Sequence, residues 1–329
     1  MKTHPLGKTD FQVTPMGLGL AALGRPGYIN LGHGDDLAHD YDSGFMETRA
    51  HAVLDAAWEA GVRYFDVARS YGKAEVFLST WLQSRGHAEV VVGSKWGYTY
   101  TANWKIEADA HEVKEHSLAV LNRQVKESAS LLGSDLKLYQ IHSATLESGV
   151  LENQDVLSRL AELKERDWCI GLSVSGPRQA EVIRRALDIE ASGKRLFDIC
   201  QATWNALETS AGPALQEAHD LGMGIIVKEG LANGRLTDRN TTAVFSEKRQ
   251  VLEAIANRHA TSIDAVALAA VLAQPWVGTV LSGAAQAHHL RANLAAIDVR
   301  LDQDDLRCLR DLAEPPEAYW ETRASLAWN

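Results

Sequence analysis

The stretch VVVGSK, residues 90–95, runs through three valines, a glycine and a serine and then stops on a lysine. It is too short for a helix and rich in β-branched side chains, so it reads as a parallel strand buried on both faces, with Lys95 delivered at its end. The same design recurs along the chain. Arg63–Asp66 ends on Asp66 and Leu136–His142 on His142. Trp168–Val174, Phe197–Thr203 and Gly224–Glu229 carry Ser173, Gln201 and Lys228, and Val277–Leu281 runs into Ser282. Val13–Gly19 is the first such run, and Gly19 closes it. Amphipathic stretches separate the runs, among them Thr48–Ala60, His111–Leu132, Val156–Arg166 and Gln179–Ile189. Eight strands alternating with helices fit either a closed (β/α)8 TIM barrel or an open doubly wound sheet. Seven polar residues at seven strand ends favour the barrel, which gathers them at one mouth where an open sheet spreads them along an edge. The expectation is a single barrel domain over residues 1–329.

Ahead of the first run, LGKTDFQVT turns at Gly7–Asp10 and reads as a β-hairpin plugging the barrel bottom. After the eighth unit, Asp302–Ala313 reads as one extra C-terminal helix, followed by a tail with Pro315, Pro316, Tyr319, Trp320 and Trp328.

Composition narrows the function. The chain is 46% hydrophobic with a formal net charge of -10. It has ample apolar residues for a large core and no basic cluster to grip a phosphate backbone, so nucleic acid is not an expected partner. No signal-like h-region and no spanning apolar run is visible, so no membrane partner is expected either. Three scattered cysteines, Cys169, Cys200 and Cys308, fit neither a disulfide frame nor a zinc site. The expected location is the cytoplasm.

The densest chemistry lies in FDVARSYG (65–72), GSKWG (93–97) and YQIH (139–142). A tyrosine phenol, with a reference pKa of about 10, is too weak an acid to titrate near neutrality. An ammonium such as Lys95 beside Tyr71 favours the phenolate and lowers that value. Asp66 offsets the buried lysine charge, and His142 orients an oxygen. Together Asp66, Tyr71, Lys95 and His142 form a proton-transfer device for an oxygen whose carbon gains or loses hydride.

These segments resemble those of the aldo-keto reductase superfamily, whose members carry FDTAxxYG, xTKxG and LxxxH. The resemblance extends across nearly the whole chain, through LGKTDFQVTPMGLGLAALG (6–24), IGLSVSG (170–176), QATWNALE (201–208), KEGLANGRLT (228–237) and LSGAAQAHHLRANLAA (281–296). It implies an NAD(P)-dependent enzyme acting on a small-molecule carbonyl or alcohol, with Tyr71 as acid/base, Lys95 and Asp66 tuning it, and His142 orienting the carbonyl. It also implies cofactor contacts. Ser173 and Gln201 match carboxamide-holding positions, Lys228 the position of a stacking aromatic, and Leu231 the pyrophosphate loop. Ser282, Gly283, Gln286 and His289 match the region facing the adenosine phosphate, where a helix N-terminus favours an anion. Asn293 matches an adenine-binding asparagine, and Gly19 a first-strand residue near the nicotinamide.

Three departures stand out. Val174 replaces an asparagine, and Lys228 replaces an aromatic for which Trp204 is a candidate substitute. Ala285 replaces a base that reaches a 2′-phosphate, a role left to Arg291 or His289. The family places NADP(H) ahead of NAD(H), with both retained. Two other readings stay open: a cofactor-binding sensor or accessory subunit with little turnover, and a metal-dependent barrel hydrolase using Asp66 and His142.

Other signals point elsewhere. Gly17 and Gly19 suggest a dinucleotide fingerprint, but Pro26 and the Gly32–Gly34 region fall where its helix should start. His111 and His116 are five apart, about 140° around a helix, so they form no zinc pair and suit solvated or capping roles. The long loop 24–45, with His33, Asp35, Asp36, His39 and Asp40, reads as a flexible polar lid in preference to a metal site. With Trp96, Tyr98, Tyr100, Trp104 and the tail aromatics it is expected to build the substrate pocket. Oligomeric state is not legible.

Overall fold

In a computed structural model, which describes residues 1–87 and 89–329, the eight runs form a closed parallel barrel. Its strands are β1 (Met16–Gly19), β2 (Tyr64–Asp66), β3 (Val91–Trp96), β4 (Leu136–Ala144), β5 (Cys169–Val174), β6 (Ile199–Thr203), β7 (Gly224–Lys228) and β8 (Thr279–Ser282). The order is β6-β7-β8-β1-β2-β3-β4-β5, and Leu281 of β8 opposite Gly17 of β1 belongs to the seam that joins last strand to first. Every residue of β2, β3 and β6 is buried, as expected for strands covered on both faces.

Helices α1 (Ser43–Glu59), α2 (Ala74–Arg85), α3 (Leu118–Leu132), α4 (Gln154–Lys164), α5 (Gln179–Leu187) and α6 (Gly212–Asp220) follow β1 to β6 in turn. Several start on side-chain caps that satisfy orphan N–H groups: Asp42 for α1, Ser117 for α3 and Asn153 for α4. Between β7 and β8 the chain forms α7 (Ser246–Arg258) and then α8 (Ile263–Leu272), whose apolar all-round sequence IDAVALAAVL matches its burial. After β8 come α9 (Ala287–Leu294), α10 (Gln303–Arg310) and α11 (Pro316–Ala324).

The N-terminal hairpin pairs His4–Pro5 with Gln12–Val13 and closes the barrel bottom. Leu6 and Val13 are fully buried there with Tyr64, Leu138, Ile199 and Ile226. A Cβ on Gly7, which has φ +60°, would sit 2.3 Å from the Gly224 nitrogen, so the turn meets β7 too closely for any side chain.

Three sequence expectations need revision. The run Val13–Gly19 divides, Val13 ending the hairpin and Met16 opening β1, with Pro15 between them. The helix expected from His111 starts only at Leu118, because Glu112–Lys114 pairs as a strand with Tyr98–Tyr100 and Ser117 then caps the helix. The tail folds into α11, where the fixed φ of Pro316 suits a first helical turn that needs no N–H.

Candidate active site

The loop after β2 carries Tyr71 and is fixed from several sides. Val67 N–H donates to the Gly93 carbonyl at 2.8 Å and Arg69 N–H to the Lys95 carbonyl at 3.1 Å. The Arg69 guanidinium binds Glu75 and Glu127, and Glu75 also accepts from Ser94 (2.6 Å) and Ser128 (2.7 Å). Arg25 donates to the Ser70 carbonyl at 3.1 Å. Gly72, with φ +60°, passes so near Gly24 that a Cβ would lie 2.4 Å from the Gly24 oxygen.

Asp66 and Lys95 form a salt bridge with side chains 2% and 0% exposed. Lys95 Nζ also donates to the Val67 carbonyl at 2.8 Å, and it stands 4.9 Å from the Tyr71 ring centroid. The second Asp66 oxygen accepts from Tyr64 Oη at 2.9 Å and Gln201 Nε2 at 2.8 Å. Tyr71 Oη lies 3.5 Å from His142 Nε2, the rings meeting edge to face. The four residues expected from sequence therefore come together.

Their charge states differ from the expectation in one respect. Burial, then Asp66, push the Tyr71 phenol well above its ordinary value, and Arg25 opposes them. Lys95 does not make Tyr71 a phenolate, because Asp66 neutralises it and burial lowers its own ammonium. Burial, then Lys95 and Arg25, hold His142 well below the ordinary histidine value, so its ring is neutral near pH 7. The mouth thus presents a protonated phenol beside a neutral imidazole.

These groups open onto a cavity of about 360 Å³ lined at one end by Asp66, Tyr71, His142, Gln201 and Lys228. Gly19, Leu231, Ser282, Gly283, His289 and Asn293 also line it. Asn293 Nδ2 donates to Ser282 Oγ at 2.9 Å. Two expected residues are turned to other work. Ser173 is fully buried, its hydroxyl accepting the Ser143 N–H at 2.8 Å, and Gln286 donates to the Asp36 carbonyl at 2.7 Å. Gln201 reaches the cavity with its amide committed to Asp66. Trp204 does not substitute for the missing aromatic: it packs edge to face on Trp276, 5.6 Å away, outside this cavity. Lys228 donates to Thr203 Oγ1 at 2.7 Å, and its partly buried ammonium is pushed down to about 8 by burial, against the pull of Glu229.

Loop 24–45 lies across the cavity, but it is fastened, contrary to the expectation of a flexible lid. Arg239 Nη1 donates to Asp36 Oδ2 (3.0 Å) and to the Leu31 (2.8 Å) and Gly32 (3.1 Å) carbonyls. Tyr28 and Asn329 exchange both backbone hydrogen bonds at 3.2 Å, and the Asn329 amide donates to the Asn30 carbonyl at 3.1 Å. His111 stacks on Trp328 at 4.0 Å, and His116 Nε2 donates to the His142 carbonyl at 2.9 Å, so the two histidines have separate packing roles. Among the described residues no three His, Cys, Asp or Glu side chains are grouped to hold a metal ion, and no helix is long and apolar enough to cross a membrane.

Sequence reading missed Arg25 and the long-range pairing of the charged frame around the mouth. Arg25, 3% exposed, pairs with Glu112 at 2.9 Å and stands 5.2 Å from the Tyr71 ring centroid. Glu229, in a left-handed conformation, is clamped by Arg323 of α11. An arginine directly after the glycine of LGR, and an acid directly after Lys228, were the visible signals, but their partners lie 87 and 94 residues away.

The comparisons with known proteins agree in direction. The model of the aldo/keto reductase family matches residues 15–314. The NADH-specific methylglyoxal reductase of Escherichia coli (strain K12) is 25% identical, the match covering 96% of this chain and 100% of that protein. The aryl-alcohol dehydrogenase [NADP(+)] of Phanerodontia chrysosporium is 25% identical over 91% of this chain and 82% of that one. Among solved structures, the holo form of aldo-keto reductase AKR11C1 from Bacillus halodurans superposes with a TM-score of 0.73 at 20% identity, covering 96% of this chain and 97% of that one.

Proposed function

This chain belongs to the aldo/keto reductase family, and from that premise we propose that it interconverts a small-molecule carbonyl and its alcohol, with Tyr71 as proton donor and acceptor and NAD(H) as the preferred cofactor. The observation that carries the reading is the protonated Tyr71 phenol 3.5 Å from a neutral His142 at the wall of the cavity. A nicotinamide cofactor supplies hydride to the carbonyl carbon when bound.

The donor set fits such a cofactor. The cavity joins the proton-handling residues to Ser282, Gly283 and Asn293, and no side chain of Gln286 caps the N-terminus of α9. That leaves free N–H groups toward an anion. Above Gly283 a Cβ would meet nothing within 4 Å, so the backbone there is open to close approach.

In reduction, Tyr71 and His142 converge on the carbonyl oxygen, and Tyr71 gives it the phenolic proton. The phenolate that Tyr71 becomes is flanked by the Lys95 ammonium and the Arg25 guanidinium, 4.9 and 5.2 Å from its ring centroid. Asp66 keeps Lys95 charged and in place. In oxidation Tyr71 takes the proton back. Loop 24–45 and Trp328 form part of the cavity wall beside these groups.

The preference for NAD(H) reverses the lean toward NADP(H) that the resemblance gave. It is supported by the acidity of the far end of the cavity, where Asp36, Asp238 and Asp264 line the wall. Burial, then the neighbouring Asp238 carboxylate, push Asp264 up to about 6. Arg239 is committed to Asp36 and two carbonyls, and burial lowers His289. Neither is a ready partner for a 2′-phosphate.

The test is turnover of NADH and NADPH with a panel of aldehydes and ketones, with Tyr71→Phe as control. We expect NADH oxidation that Tyr71→Phe removes while the thermal shift given by NADH persists. Undiminished turnover in Tyr71→Phe refutes the role of Tyr71.

A further inference from the structure

Lys228 introduces a charge into the catalytic end of the cavity that the rest of the mouth does not cancel. The other charges there are matched in pairs. Asp66 neutralises Lys95, and Glu112 neutralises Arg25. Glu229, the acid nearest Lys228 at 4.0 Å, is held by Arg323 through two contacts of 2.9 Å and a third at Nη2. Glu229, Arg323 and Lys228 together therefore keep one net positive charge. Among the described residues Lys228 also has no carboxylate as its hydrogen-bond partner; it donates to the neutral Thr203 hydroxyl. Its stem is the last residue of β7, opposite Thr203 of β6, and it lines the same space as Asp66, Tyr71 and His142.

Resting on the function proposed above, we infer that Lys228 makes the site selective for the reduced form of the nicotinamide cofactor over the oxidised form. Hydride transfer requires the ring to approach a carbonyl carbon held at Tyr71 and His142, at about 3–3.5 Å. The ring must therefore share this cavity with the ammonium. The oxidised ring carries a positive charge and the reduced ring none, while the rest of the cofactor has the same charge in both forms. The ratio of the two affinities therefore reports how the site treats the ring charge, and its change when the Lys228 charge is removed isolates the repulsion between Lys228 and the ring. For unit charges about 8 Å apart at an effective dielectric constant of about 20, that repulsion weakens binding of the oxidised form on the order of 30-fold. The consequence is an enzyme poised for reduction: it takes up the reduced cofactor readily and lets the oxidised product go.

The selectivity depends on pH in a defined direction. Charged or titratable groups facing Lys228 are Glu229, Arg323, Lys95 and Cys200, with His142 also within its field. Near pH 7 and above, Glu229 stays ionised and His142 neutral, while burial raises the Cys200 thiol and keeps it protonated. Lys228, at about 8, is the group that changes charge between neutral and mildly alkaline pH. Its repulsion is present below that value and fades above it.

The experiment is direct titration of NADH and NAD+ into the purified protein by calorimetry or tryptophan quenching, at pH 7 and pH 9.5. Wild type, Lys228→Met and Lys228→Arg are compared. We expect the ratio Kd(NAD+)/Kd(NADH) to fall at least fivefold in Lys228→Met at pH 7, mainly through tighter NAD+ binding, and to be kept in Lys228→Arg. The ratio should also narrow in wild type, but not in Lys228→Met, on going to pH 9.5. Equal ratios in wild type and Lys228→Met, with both nucleotides bound, overturn the inference and leave the proposed function standing. Failure of wild type to bind either nucleotide overturns the proposed function instead. If Lys228→Met does not fold, the pH dependence of the wild-type ratio decides, a flat ratio refuting the inference.

Discussion

Replacing Asp66 by asparagine should expose how strongly the buried Lys95 depends on its partner. Asparagine keeps the shape and one oxygen for Tyr64 or Gln201, so the main loss is the countercharge of an ammonium that is fully buried. Breaking one side of such a pair costs about 3–5 kcal/mol. A ceiling follows independently: Lys95 can escape by losing its proton, which at pH 7 costs about 5 kcal/mol from a reference pKa of about 10.4. At about 2.1 cal/mol/K per residue, a chain of this length unfolds with an entropy of about 0.7 kcal/mol/K. The expected fall in Tm is therefore about 4–7 °C. The penalty is present below the unfolded lysine pKa and shrinks as pH rises toward about 10, because the unfolded chain then also loses that proton. Thermal unfolding of wild type, Asp66→Asn, Lys95→Met and the double variant, at pH 7 and 9.5, measures all of this. The double variant should be more stable than the sum of the two single losses. Strict additivity, or a loss in Asp66→Asn that does not shrink with pH, would refute the reasoning.

Three further outcomes are expected. With the Tyr71 phenol raised and His142 depressed, the rate of carbonyl reduction should show no step from either group between about pH 6 and 7.5, below the titration of Lys228 at about 8; an inflection near 6.5 traceable to His142 would contradict a neutral imidazole beside a protonated phenol. Ala285→Arg should tighten NADPH binding about tenfold and change NADH less than twofold, and an unchanged NADPH affinity argues against the acidic end as the source of preference. Although burial pushes it up, Arg323 and Lys228 hold Glu229 down to about 2, against an unfolded value of about 4.3. This contributes about 3 kcal/mol above pH 4.3 that is lost as pH falls through 2; acid unfolding of Glu229→Gln should lack this loss, and parallel curves would refute it.

The barrel was legible because each strand is a short apolar run ending on a polar residue, and burial on both faces leaves no other use for VVVGSK or LYQIH. Asp66, Tyr71, Lys95 and His142 were legible for the same reason: a strand end fixes where its side chain emerges. Long-range pairing was not. Nothing local in Arg25 or Glu229 names Glu112 or Arg323 as partner, and the fastening of loop 24–45 depends on Arg239 and Asn329, more than 200 residues away. The helix expected from His111 failed for a different reason: apolar spacing continued through Val113, but pairing with Tyr98–Tyr100 offered that segment a sheet partner which local periodicity does not reveal.

The hairpin at the barrel bottom sets an order on how the chain can assemble. Leu6 and Lys8 leave the ribosome well before β7, yet Lys8 N–H binds the Gly222 carbonyl and the His4 ring bonds the Gly278 carbonyl, 274 residues later. Until β7 and β8 have been made, Leu6 and Val13 lack much of the surface that buries them. Such distant closure is slow and leaves apolar residues open to misassembly or to a chaperone. Residues made early are thus among the last to find their native place, and a deletion that spares every catalytic group but removes the hairpin should show itself first in folding yield.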